Sequence, residues 1–98
     1  MNLGDSMAKV TVVLRPYLMG FAGGWGEVSG MGETLGEVLK NLGNEYSSLG
    51  QYVLDPEHGI APGVRVYVNN VIVDFPGGLS SPVEDGDRVR LLLVIGGG

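Results

Sequence analysis

One stretch of this chain carries the clear period of a helix, and it stands between Val-rich stretches that carry the period of strands. In "GETLGEVLKNLG" (residues 32–43), Leu35, Val38, Leu39 and Leu42 fall at i, i+3, i+4 and i+7 and make one apolar stripe. Thr34-Leu35-Gly36-Glu37 has the pattern of a capping box, in which the Thr hydroxyl accepts from an early helical N–H and Glu37 reaches back to the Thr34 backbone N–H. Gly43 is placed to stop the helix in a left-handed conformation. The spacing predicts a helix over residues 33–43, about two and a half turns at roughly 3.6 residues per turn. A helix with a single apolar face has to bury it, and the strands on either side supply the sheet to bury it against.

The strand signals fall in a fixed order. "AKVTVVLR" (residues 8–15) is Val-rich and partly alternating, and Pro16 ends it. A Gly-rich stretch follows, within which "WGEVSG" reads as a short second strand closing a hairpin. After the helix, Tyr46, Leu49 and Val53 predict a poorly formed helical turn, and "DPEHG" and "APG" carry turn chemistry. "VRVYVNN" is a firm strand whose Asn69-Asn70 invites a tight reversal into "VIVDF", broken by Pro76-Gly77-Gly78. In the last strand, "RVRLLLVI", Val89, Leu91, Leu93 and Ile95 face one side, and Arg90, Leu92 and Val94 the other. A first hairpin, a helix across it and a last strand returning parallel to the first make an α+β β-grasp arrangement: a mixed sheet of four to five strands with one main helix on one face. The final strand is then central, which accounts for its near-continuous apolar run.

At 98 residues the chain is one domain, since roughly 100–150 residues is the usual unit. A chain this short buries about two-thirds of its unfolded surface, which leaves little room for a deep catalytic cleft. We divide it into a loose leader (1–6), with Met7 a second candidate start, a folded domain (7–95) and a glycine tail (96–98). The net charge of −5, from six basic and eleven acidic residues, disfavours nucleic acid, whose binders cluster Lys and Arg. It favours a basic protein partner. The absence of cysteine removes disulfides, thiolate nucleophiles and Cys-based metal sites. His58 alone cannot assemble a metal cluster, so no metal and no bound cofactor are expected. No apolar run approaches the roughly 20 residues of a membrane span and no signal-peptide pattern opens the chain, so the expected location is the cytoplasm.

The end of the chain raises the functional question. Gly96, Gly97 and Gly98 abut the last strand. Without Cβ atoms they can pass a channel too narrow for other residues, reaching about 10 Å beyond Ile95 when extended. A carboxylate delivered that far into another protein's active site can attack the α-phosphorus of ATP, and the resulting acyl-adenylate is open to displacement by sulfur or an amine. A frayed terminus is the competing reading.

"GETLGEVL", "VRVYVNN", "FPGGL" and "VEDGDRVRLLLVIGGG" resemble, in order, the motifs of the MoaD/ThiS-related sulfur carriers. The likeness is strongest to the CysO type, which shares the early Leu14-Arg15-Pro16 and the Asp-Gly-Asp before the last strand. It covers most of residues 8–98. The resemblance implies a ubiquitin-like β-grasp fold. It also implies a C-terminal glycine, here Gly98, that an ATP-dependent ubiquitin-activating-type (MoeB/ThiF-like) enzyme adenylates and that sulfur converts to a thiocarboxylate. ATP is then used by the partner, and an acceptor such as a cysteine synthase or the molybdopterin synthase large subunit consumes the sulfur. In the family Ala or another residue often precedes the final Gly-Gly, often after Pro; here Gly96 and Ile95 stand there.

On this reading the protein is not an enzyme but a co-substrate. Gly98 carries the reactive atom, Gly97 and Gly96 give access, and Leu92 and Val94 are candidates for partner docking. A ubiquitin-like modifier joined to lysines through the same glycine is the alternative, and a β-grasp interaction module with an inert tail is a third. Asp85-Gly86-Asp87 is read as turn chemistry rather than a carboxylate pair. Gly20–Gly26 lacks the Lys-Ser/Thr of a phosphate-binding loop and is read as a flexible hairpin loop, with Trp25 returning the chain to the sheet.

Overall fold

The computed structural model describes residues 7–57 and 59–94. In chain order the elements are β1 (Ala8–Val13), β2 (Glu27–Gly32), α1 (Leu35–Glu45), α2 (Ser47–Val53), β3 (Leu54–Asp55), β4 (Gly59–Ile60), β5 (Val64–Val68), β6 (Val71–Ile72) and β7 (Arg88–Leu93). Single 3-10 turns form at Met19–Ala22 and Gly77–Ser80. The main sheet has five strands in the order β2-β1-β7-β5-β6, and β3-β4 forms a separate two-stranded ribbon. β1 and β7 run parallel, and every other pairing is antiparallel. The last strand therefore lies at the centre of the sheet, as its apolar run requires.

Side-chain alternation gives the sheet two unlike faces. Val10 and Val12 of β1, Val64 and Val66 of β5 and Val89 and Leu91 of β7 are buried in one core with Leu35, Val38, Leu39 and Leu42 of α1. Leu14 and Leu18 after β1, Leu49 and Val53 of α2, and Ile60 complete it. No polar side chain is buried among the described residues. α1 lies against β2 at close range: a Cβ on Gly32 would sit 2.7 Å from the Val38 nitrogen. Glycine in a strand marks such a backbone approach.

The helical region departs from expectation in three respects. α1 runs to Glu45, through Gly43, and ends where the Tyr46 N–H donates to the Leu42 carbonyl at 2.8 Å. Gly43 is not a stop signal; it is the point where the second helix approaches. The residues expected to make a poor turn form α2, with Leu49 and Val53 buried, so two helices rather than one cover the sheet. The N-terminal cap is also displaced. Thr34 Oγ1 accepts from the Glu37 N–H at 3.2 Å as expected, but the Glu37 carboxylate accepts from the N–H of Glu33 at 3.0 Å, one residue earlier than a capping box requires.

Two loops differ as well. Strand pairing after Asn69-Asn70 stops at Ile72 instead of running through Phe75, because Val73, Phe75 and Leu79 turn back onto the core and the chain enters the Gly77–Ser80 turn. The Gly-rich loop is organised by its own apolar residues: Leu18 and Ala22 are buried, Phe21 stacks on Tyr52 of α2 with ring centroids 4.7 Å apart, and the chain re-enters the sheet at Glu27 with Trp25 left exposed. At the other turns the expectation holds. Asn69 and Asn70 take positive φ of 50° and 70° and join β5 to β6. Asp85 accepts from the Lys9 N–H at 2.8 Å, and Asp87 accepts from the Glu84 N–H at 2.9 Å, so these carboxylates serve the backbone of the turn before β7.

Candidate functional site

The chain leaves the sheet from the C-terminal end of β7, and everything at that end is positioned by the parallel pairing of β1 with β7. Val13 stands beside Arg90, so the end of β1 and the loop that follows it flank the outgoing chain. On the other side, antiparallel β5 places Val64 against Leu93 and Arg65 against Leu92. Among the described residues the last backbone bond of the outgoing chain is the Val94 N–H donating to the Gly63 carbonyl at 2.7 Å. β7 is thus held along both edges as far as Arg90 and by β5 alone from Leu91 to Leu93. Ile95, Gly96, Gly97 and Gly98, expected to form the end of the strand and the working tail, lie outside the described residues, as do His58 and the leader 1–6.

Leu92 and Val94 point away from the helices: between the buried Leu91 and the half-buried Leu93, Leu92 is half-buried on the outer face, and Val94 is 49% exposed. The outer face around them holds Tyr67 and Ile72, which pair across β5 and β6, and Val13, which is buried although it lies on the side of the sheet away from the core. Val13 is walled in by Arg88, Arg90, Asn69 and Asn70 around a small cleft of about 140 Å³.

The feature that sequence reasoning missed is where the arginines go. All four in the chain, Arg15, Arg65, Arg88 and Arg90, are on this outer face. Glu27, opposite Val13 in β2, holds two of them with one carboxylate oxygen: Arg15 Nη2 lies 2.8 Å and Arg88 Nη2 3.1 Å from Glu27 Oε2. The signal was present in "VRVYV" and "RVRLLL", where each Arg alternates along its strand with a core residue, but charge counted over the whole chain hides it. Among the described residues no group of His, Cys, Asp and Glu is arranged to hold a metal ion, and no helix is long and apolar enough to cross a membrane.

A mixed sheet with a parallel first and last strand, helices on one face only and a bare outer face leading to a glycine tail defines a ubiquitin-like β-grasp protein. The chain belongs to the ThiS family, whose profile matches residues 22–98. It is 38% identical over 95 residues to the sulfur carrier protein CysO of Mycobacterium tuberculosis, covering 92% of this chain and 95% of that one. The crystal structure of that organism's CysO superposes with a TM-score of 0.77 at 36% identity, over 88% of this chain and 99% of the other. The CysO-containing BexX/CysO complex of Amycolatopsis orientalis gives a TM-score of 0.79 at 30% identity, over 91% and 99%. The solution structure of small archaeal modifier protein 1 from Methanosarcina acetivorans gives 0.78 at 27% identity, over 94% and 98%.

Proposed function

We propose that this protein is a sulfur carrier whose C-terminal Gly98 carboxylate is the working group. The observation that carries the reading is the joint one of membership in the ThiS family and a central β7 that runs toward the Gly96-Gly97-Gly98 tail. In the first step a carboxylate oxygen of Gly98 attacks the α-phosphorus of ATP and pyrophosphate leaves, giving an acyl-adenylate. In the second, a hydrosulfide-level sulfur attacks the acyl carbon. AMP departs with the electrons of the C–O bond, the sulfur proton is lost to solvent, and a thiocarboxylate remains. Both steps use groups supplied by other proteins; this chain contributes the carboxylate and its delivery. Its role is that of a protein co-substrate acted on by enzymes of sulfur transfer.

The activating partner in this reading is a MoeB/ThiF-like adenylating enzyme, and the acceptor is a cysteine-synthase-like enzyme, with the molybdopterin synthase large subunit the competing destination. The CysO likeness favours cysteine synthesis. The cytoplasm, where ATP and such enzymes reside, is the location this chemistry calls for. Gly97 and Gly96 give the carboxylate passage, and Leu92 and Val94 lie where a docked enzyme would meet the body of the carrier.

The test is intact-mass spectrometry after incubation with the adenylating enzyme, ATP and a sulfur donor. The expected product is heavier by one sulfur in place of one oxygen, and the change is lost when Gly98 is deleted. An unchanged mass in the unaltered protein, with adenylating enzyme active on another carrier, overturns the reading. The likeness to an archaeal modifier protein supports a second use of the same adenylate, transfer to a lysine amine. Lysines carrying the isopeptide-linked Leu91–Gly98 segment, which trypsin leaves after cutting at Arg90, would reveal it in a digest of cells.

A further inference from the structure

A chain with a net charge of −5 would ordinarily be matched with a basic partner, and its bulk composition says so. The face that leads to the tail says the opposite. Four guanidiniums against the single Glu27 carboxylate give this cluster a charge of +3 inside a chain of net −5. Among the strand positions that point outward, Glu27 is the one acidic residue; Thr11, Ser29, Tyr67, Ile72 and Leu92 are uncharged. Among the described residues, Glu37 and Glu45 lie on α1, and Glu84, Asp85 and Asp87 in the turn before β7. The cationic cluster lies on the face that carries Arg90 and Leu92 of the outgoing strand.

We propose that this outer face is a guanidinium-lined docking surface for an acidic patch on the adenylating enzyme, placed around the mouth of the chamber that receives the tail. The inference rests on the function proposed above. Arg65 and Arg90 supply the free valences: among the described residues neither has a carboxylate partner, and Arg65 donates only to the Val64 carbonyl at 3.3 Å. Arg15 and Arg88 are held in place by Glu27, and a guanidinium with five donors keeps several to offer after one such contact. Carboxylates meeting these forks gain charge-assisted, orientation-dependent hydrogen bonds. Leu92 and Val94 between them provide the apolar patch that excludes water. The negative remainder of the surface repels an acidic enzyme in wrong orientations, so attraction is confined to the approach that aims the tail inward. A polynucleotide fits less well, since the cluster is small, apolar residues interrupt it, and the rest of the molecule repels a long polyanion.

The experiment measures direct binding and steady-state adenylation, read by ATP–pyrophosphate exchange, using the full chain and its adenylating enzyme across a salt series. Arg65→Glu/Arg90→Glu is expected to raise the dissociation constant and the KM for the carrier roughly tenfold or more and to flatten their salt dependence. Lys40→Glu, on α1, is expected to leave both as they are. Arg65→Gln/Arg90→Gln gives an intermediate effect and serves if the reversed variant fails to fold, which a thermal melt reports. Unchanged binding by both double variants, or an equal loss for Lys40→Glu, overturns the proposal while leaving the carrier function standing. Binding without adenylation in the unaltered protein overturns the carrier function and leaves the docking surface standing; absence of both overturns both. Tight binding of bulk tRNA that the Arg65/Arg90 variants abolish, with enzyme binding intact, assigns the face to nucleic acid instead.

Discussion

Gly43 of α1 and Gly50 of α2 touch backbone to backbone: a Cβ built on Gly50 would stand 2.8 Å from the Gly43 Cα and 3.1 Å from its carbonyl oxygen. The two helices fold back on each other at this contact, and it lets Leu49 and Val53 reach the same core as Leu42. A methyl group at Gly50 meets backbone, which cannot swing aside as a side chain can. Gly50→Ala should cost about 1–3 kcal/mol through overpacking, despite the better helix propensity of alanine. At roughly 4–8 °C of melting temperature per kcal/mol in a domain of this size, a thermal melt resolves it.

Leu91 lies at the centre of the sheet and is fully buried, with Val66 facing it across β5. Leu91→Ala removes the side chain from a site that cannot readily collapse, because Leu91 is paired with Val66 of β5 and the adjacent Arg90 is held by both β5 and β1. The expected loss is about 2–5 kcal/mol in chemical denaturation, larger than for any substitution on the outer face.

Thr34 fixes the start of α1 by accepting from Glu37, and its neighbours Glu33 and Leu35 are tied to the segment before β7, with the Leu35 N–H donating to the Ser81 carbonyl at 2.9 Å. Thr34→Ala loses the cap but keeps these ties. The expected cost is about 1 kcal/mol in the same measurement, clearly smaller than for Leu91→Ala.

Val94 is 49% exposed and Leu92 half-buried on the outer face. Leu92→Asp/Val94→Asp should leave the thermal midpoint within a few degrees while raising the KM for the carrier in adenylation roughly tenfold, as loss of an apolar anchor does. An unaltered KM in the pyrophosphate-exchange assay would exclude these residues from the docking surface.

Much of the fold was legible because local signals and tertiary demands agree. The stripe Leu35-Val38-Leu39-Leu42 is buried as its period requires, and β7 is central as its apolar run requires. Misreadings arise where a residue's local meaning is overridden by a distant neighbour. Gly43 resembles a helix stop until Gly50 is brought against it, and Tyr46-Leu49-Val53 is too short a pattern to declare a helix before α1 gives it a surface to pack on. The charge of the outer face was not legible. Arg15 and Arg88 are brought to Glu27 only by the pairing of β1 with both β2 and β7.

The central place of β7 has a mechanical meaning. Three residues of β7 pair with β1 and five with β5, so the strand is bonded along both flanks. A pull transmitted along the tail loads those ladders in shear, sharing the tension among many bonds rather than unzipping them singly as at a sheet margin. An enzyme that grips the glycines and tugs meets a stiff handle, and the work goes into moving the whole body rather than into unravelling it.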